Sequence, residues 1–319
     1  MFRNFNARWI AGVFIPLLLT ACSTPQMLQL RSTPPAQLKP HIELTEVAYF
    51  PQDENQCGPA SLAMVFQRAG LNIEPGQLKD SLYIPEKQGS LQVEMLAATR
   101  RHGLLAYQLQ PSLQDVLSEI SSGNPVVVLQ NLGLSWYPLW HYAVVIGYDL
   151  ESEEIILRSG SNQRLVLPMN TFENTWARSK YWAMVAVPPA TIPLTATPEN
   201  FIPDIAALEH SSPGTDTWPA YEAAMQRWPD NLLSKIAAGN HAYSRGNLNR
   251  AEQIFLQATQ LHPASAAAFN NLAQTLSEQG KYDAALVAIN RALELGGPLA
   301  STLRETQAEI ENKKREALK

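Results

Sequence analysis

The sequence predicts an α+β domain followed by an all-α domain of helical repeats. Three observations carry that reading. Apolar residues recur at helical spacing from about residue 57 to 120 and gather into short β-branched runs from 125 to 187, helices first and a mostly antiparallel sheet second. In the C-terminal third, small and large positions repeat with a 34-residue period. Between the two lies a stretch rich in Pro, Thr, Ser and Ala.

The first residues, 1–21, read as a targeting segment. Arg3 and Arg8 form a basic region, and Ile10 to Leu19 form an apolar core. That core is shorter than the roughly 20 apolar residues a spanning helix needs. It ends in Leu19-Thr20-Ala21-Cys22, which resembles the bacterial lipobox. The resemblance implies cleavage before Cys22, a diacylglyceryl group on Cys22 as the membrane anchor, and an acylated new N-terminus. Ser23 in the next position, rather than aspartate, favours the periplasmic face of the outer membrane where the organism has one. An ordinary signal peptide whose cleavage site precedes a cysteine is the alternative. Residues 22–41 hold Pro25, Pro34, Pro35 and Pro40 and read as an extended tether.

Charge and cysteine usage fit an exported, tethered protein. The 319 residues carry a formal charge of −5, and without residues 1–21 the chain has 22 basic against 29 acidic residues, or −7. This argues against nucleic acid as a partner and against electrostatic capture of anionic lipid. With Cys22 lipidated, Cys57 is a solitary thiol. In a compartment that oxidises thiols, function explains such a residue more easily than packing does.

Residues 42–188 form the α+β domain. Leu62, Val65, Phe66 and Ala69 fall at i, i+3, i+4 and i+7, one buried helical face. Pro59 suits the first turn and Gly70 the stop, so Cys57 sits where the helix begins. There the free N–H groups and the dipole favour a thiolate. The base candidate is His141, opening an apolar run that ends at Gly147-Tyr148-Asp149 and reads as a strand. Gln52, five residues before Cys57, can offer its amide to the oxygen of an attacked carbonyl. Taken singly, such a cysteine and histidine also suit a core. It is the ordered set that points to catalysis.

Gln52 with Cys57-Gly58-Pro59-Ala60, then His141-Tyr142 opening a strand, resembles the papain-like peptidases of the bacteriocin-processing (double-glycine leader) type. The resemblance implies a papain-like α+β fold over residues 42–188 and a Cys–His peptidase with Gln52 as oxyanion donor. Its chemistry calls for no cofactor. That family usually carries an aspartate on the strand after the histidine, and the corresponding segment here reads Leu157-Arg158-Ser159-Gly160. Asp149 is too far along the same strand to orient His141: eight residues span about 26 Å. A hairpin turning near 149–153 instead brings residues 159 to 162 opposite His141. Ser159 matches the family position by alignment, and Asn162 is the alternative, since a neutral amide can orient histidine in such enzymes.

The remaining elements of this domain are helices near 77–83, 91–102 and 113–120, and strands near 125–129, 154–157, 164–167 and 181–187. Trp136, Tyr137 and Trp140, just before His141, either line a substrate cleft or cap the core at the strand end. His41 and His102 are weaker base candidates. No metal site is expected, because neither Cys-x-x-Cys nor His-Glu-x-x-His occurs.

Residues 189–218 read as a Pro-rich linker. In 219–319, Gly246, Ala251, Phe255, Ala258 and Pro263 recur as Gly280, Ala285, Ile289, Ala292 and Gly297. A half-unit precedes them in Tyr221, Ala224 and Pro229, and a closing helix follows at 303–314. The pattern resembles the tetratricopeptide repeat, which implies a protein partner or a substrate held in the repeats' groove. The whole chain thus reads as a lipid-anchored envelope cysteine peptidase acting on a peptide or protein through a Cys57 thioester, with His141 as base. The alternatives are a non-catalytic peptide-binding or assembly lipoprotein, and a cell-wall amidase or acyltransferase. The latter's cell-wall counterparts resemble Asp-Cys-Ser-Gly, whereas this chain has Gln-Cys-Gly-Pro.

Overall fold

The computed structural model describes residues 24–33, 35, 37–51, 56–87 and 89–319. Residues 1–21, Cys22 and Gln52 lie outside the described residues, so the expectations placed on them stand as expectations.

The described chain opens with a helix, α1 (Pro25–Ser32), with Pro25 in its first turn. Two of its unpaired N–H groups, those of Gln26 and Met27, donate to the Glu173 carboxylate at 3.0 and 2.8 Å. Met27 and Leu30 are buried against the domain core. The tether expected over 22–41 is therefore not extended throughout: its apolar residues dock on the body instead.

Then come β1 (His41–Glu43), α2 (Cys57–Arg68), α3 (Pro75–Leu82), α4 (Gln92–Arg101), β2 (Leu105–Gln108) and α5 (Leu113–Ser121). They are followed by β3 (Val126–Asn131), β4 (Trp140–Asp149), β5 (Glu154–Ser159), β6 (Asn162–Pro168), α6 (Met169–Ala177) and β7 (Ala183–Val187). The sheet runs β2-β7-β3-β4-β5-β6 with every pairing antiparallel, and β1 pairs with the far end of β4. Alternation along β4 sends Tyr142, Val144 and Ile146 toward α2, where Leu62, Val65 and Phe66 are fully buried. Ala143, Val145 and Tyr148 face the opposite layer, with Val116, Phe172 and Trp176. A bulge between Val145 and Gly147 shifts the β5 register. The α+β order expected from the sequence is the order observed.

Residues 189–218 are not an open linker. They contain α7 (Pro198–Ser211), which starts on a proline whose missing N–H costs nothing at that position. Its Phe201, Ile202, Ile205 and Leu208 are buried in the same cluster as Val126 and Val145. Arg100 of α4 pairs with Asp204 of α7 at 3.0 Å. Burial lifts the Asp204 carboxyl to about 6, against the pull of Arg100. Proline-rich composition suggested a loop, but burial of this apolar stripe makes the segment a packed helix.

The C-terminal region is helical: α8 (Trp218–Arg227), α9 (Leu232–Ser244), α10 (Leu248–Leu261), α11 (Ala266–Glu278), α12 (Tyr282–Leu295) and α13 (Ala300–Ala317). The recurring positions Ala251, Phe255 and Ala258, and Ala285, Ile289 and Ala292, are buried where helices pair. Gly239 shows why small residues are needed there. A Cβ at that position would lie 2.4 Å from the Phe255 ring. Ala220, Tyr221, Ala224, Ala238 and Ile254 join the cluster that includes α7 and the sheet. The first repeat is thus packed onto the α+β domain through α7.

Candidate active site

The site lies where α2 begins and β4 begins. Cys57 is the first residue of α2 and is partly buried. Gly58 is there because nothing larger fits: a Cβ would sit 2.4 Å from Ser90 Oγ. The segment carrying Ser90 is held in turn by Tyr142, whose hydroxyl donates to the Ser90 carbonyl at 3.2 Å. Burial pushes the Cys57 thiol above its usual value, and backbone hydrogen bonds from Tyr142, Gly58 and Cys57 itself pull it back only in part. The helix start was expected to favour the thiolate. Burial outweighs it.

His141 is the second residue of β4. Burial lowers its imidazole pKa. Its Nε2 lies 2.8 Å from Ser159 Oγ. The contact forms just beyond the last β4–β5 ladder pair, Val144–Arg158, where the β5–β6 register shifts between Leu157 and Ser159. With Nε2 engaged, Nδ1 is the other ring nitrogen. Tyr142, the next residue, carries the backbone group that hydrogen-bonds Cys57. Cys57 and the start of β4 are therefore neighbours. Both shifts favour a neutral thiol and a neutral imidazole in the resting site.

The turn after Ser159 is tied down from the other side. Tyr49 Oη donates to the Gly160 carbonyl at 3.1 Å. The Arg158 guanidinium donates to the carbonyls of Thr45 and Val47 at 3.2 and 3.0 Å. The segment that precedes Gln52 is thus fastened beside Ser159.

The other candidates fall elsewhere. Asn162 opens β6, exposed, and pairs with Ser159 in the ladder. Asp149 lies at the far end of β4, where it pairs with His41 at 3.1 Å, which removes both from the site. His102 caps α4, with Nδ1 2.8 Å from the Ala98 carbonyl. Trp136 and Tyr137 project from the β3–β4 connection, 81% and 74% exposed, so they do not cap the core. Trp140 is half-exposed directly beside His141. Among the described residues no group of His, Cys, Asp and Glu could hold a metal ion. The backbone group of Tyr142 and the Ser90 segment left no readable signal in the sequence. Gly58 is the one trace of the close approach.

Residues 44–184 match the model of the Peptidase C39-like family, and residues 254–287 match that of the tetratricopeptide repeat. The chain therefore carries a C39-like α+β domain followed by a helical region with a tetratricopeptide repeat. Among solved structures, it is similar to one assigned as a C39-like peptidase from Bacillus anthracis, at 19% identity over 47% of this chain and 98% of that one, with a TM-score of 0.40. It is also similar to the peptidase domain of Streptococcus ComA, a bifunctional ABC transporter involved in a quorum-sensing pathway. There the identity is 19% over 45% of this chain and 99% of that one, with a TM-score of 0.38. No curated protein matches the chain.

Proposed function

We propose that the protein is a lipid-anchored cysteine peptidase of the cell envelope, acting on a peptide or protein substrate. The observation that carries the reading is the pairing of His141 Nε2 with Ser159 Oγ at 2.8 Å, which leaves Nδ1 for the thiol of Cys57. The C39-like match supports the reaction class.

The Nε2–H donates to Ser159 Oγ, and this fixes the tautomer whose Nδ1 lone pair can accept a proton. Cys57 Sγ attacks the substrate carbonyl carbon as its proton passes to His141. The oxyanion is held by the Cys57 backbone N–H and the Gln52 side-chain amide. Tyr49, three residues before Gln52, is anchored at Gly160, and three residues reach at most about 10 Å. The imidazolium gives its proton to the leaving amine and a thioester remains. Water then attacks with His141 as base, and Cys57 is regenerated. Ser159 brings no negative charge, so the imidazolium is less stabilised than beside a carboxylate. Trp140, next to His141, meets the substrate. Cys22 carries the lipid, and the repeats hold a protein partner or present the substrate.

The test is to digest an envelope-protein extract with the wild type and with Cys57→Ser and to map new chain termini. The reading expects a defined set of termini produced by the wild type alone. Identical sets from the two proteins contradict it.

A further inference from the structure

The β3–β4 connection is an apolar hairpin built to keep its shape. Asn131 Oδ1 accepts from the backbone N–H groups of Gly133 and Leu139, both at 2.9 Å. Leu132 N donates to Leu139 O at 2.9 Å, and Leu134 and Tyr137 exchange backbone bonds at 3.0 and 3.1 Å. Arg178 braces the base through the carbonyls of Asn131 and Gly133. Many of its backbone polar groups are thus paired within the protein, while the side chains of Leu132, Leu134, Trp136, Tyr137 and Leu139 face outward. Between Glu119 and Asp149 the chain holds no Asp, Glu, Lys or Arg. Such a surface resists solvation in water and suits an apolar phase with a polar boundary.

The path of the N-terminal segment says which phase that is. Helix α6 starts at the β4–β5 turn, where Met169 N donates to Glu153 O, and ends at Arg178 beside the hairpin. Helix α1 runs the other way. Its N-terminal N–H groups sit on Glu173, and Arg31 near its C-terminus pairs with Glu153. The start of α1 therefore points toward the hairpin end of the sheet. Gln26 agrees, because its Nε2 donates to the Pro111 carbonyl at 3.0 Å, in the connection after β2 at that same end. Residue 24 is described there, two residues after Cys22.

We propose that the hairpin tip seats in the interface of the lipid bilayer, so that hairpin and lipid together orient the domain with the Cys57–His141 end toward the membrane. Trp and Tyr are the side chains that partition to that boundary, and one anchor gains permanence from a second contact. The proposal rests on the reading of Cys22 as lipidated. It carries a consequence for substrate class: the site takes chain segments close to the bilayer surface.

The test uses the full lipoprotein reconstituted in phosphatidylethanolamine–phosphatidylglycerol vesicles. A single nitroxide is placed in a Cys57→Ser background at Ser135→Cys on the tip or at Ser152→Cys at the opposite end of β4. The tip label should be shielded severalfold from an aqueous nickel complex yet open to oxygen, and the Ser152→Cys label should be fully open to nickel. In otherwise wild-type protein, the double variant Trp136→Ser, Tyr137→Ser should move between vesicles severalfold faster. Co-sedimentation with both labels equally aqueous and unchanged transfer overturns the hairpin contact alone. That outcome makes a peptide or protein the occupant of the tip. Protein left in the supernatant overturns the anchoring reading as well.

Discussion

His141 Nε2 and Ser159 Oγ meet at 2.8 Å across the β4–β5 pair, and Ser159 is the residue that the resemblance aligns with a carboxylate. A neutral hydroxyl there can fix the ring and its tautomer but cannot offset the charge of an imidazolium. Two variants separate these effects. Ser159→Ala removes one neutral hydrogen bond and should slow Cys57 labelling by an electrophilic peptide probe about tenfold, the worth of such a bond. Ser159→Asp should keep labelling and move its acid limb upward, because a carboxylate favours protonated His141. Asp149→Asn, at the far end of β4, should leave the rate within a few-fold. Loss confined to the Asp149 variant contradicts the assignment.

The pH profile follows from burial. His141 titrates below the usual imidazole value of 6.5, and the Cys57 thiol above its usual 9.0. The neutral imidazole is the base, so labelling should fall only at pH below 6.5 and stay level through neutrality. Stability has a matching sign. The fold disfavours charged His141, so its contribution is fully present above pH 6.5 and is lost as pH falls through the lower folded value. Melting measured against pH should show a shallower acid fall in His141→Gln than in the wild type.

How much of this was legible depends on where the determinants lie. The start of α2 at Cys57, the strand through His141 and the turn before Glu154 followed from local pattern. Counting that hairpin narrowed the partner of His141 to residues 159 to 162, and the family resemblance, not the count, singled out Ser159. Helix α6 was missed because Asn170, Thr171, Asn174 and Thr175 are weak helix formers. What holds it is burial of Phe172 and Trp176 in the core. Helix α7 was hidden by Pro198 and Pro203. Only the fold shows that its apolar stripe lies between sheet and repeats. Gln163 to Leu167 alternate too weakly to mark the full extent of β6, whose outer face is exposed.

That shared core changes what truncation should do. A chain ending at residue 218 loses Tyr221, Ala224, Ala238 and Ile254, which cover α7, along with the packing of Phe201 against Trp228 at 5.8 Å. Burying a side chain as large as Ile254 or Phe201 is worth roughly 1.5–3 kcal/mol, and an alanine less. Thermal melting should show that this truncation unfolds or aggregates well below the full chain. A chain ending at residue 264, which keeps α7 to α10, should melt cooperatively and keep Cys57 labelling. Equal stability of the shorter chain and the full protein contradicts the packing described.

Gln52→Ala should slow turnover by roughly 10²- to 10³-fold with little change in substrate binding, the usual loss for one oxyanion donor. Gln56, the residue before α2, makes no capping bond through its side chain, and Gln56→Ala serves as the control. If that change is the more damaging, the wrong glutamine has been assigned.

The most direct measurement of the central claim is the rate at which an electrophilic peptide probe labels Cys57 in the wild type and in His141→Ala. Both proteins are first shown to melt alike. The Cys–His account predicts labelling of the wild type at Cys57 alone and near-complete loss in His141→Ala, since burial leaves the thiol above its usual pKa and dependent on a base. Equal labelling rates in the two proteins contradict it.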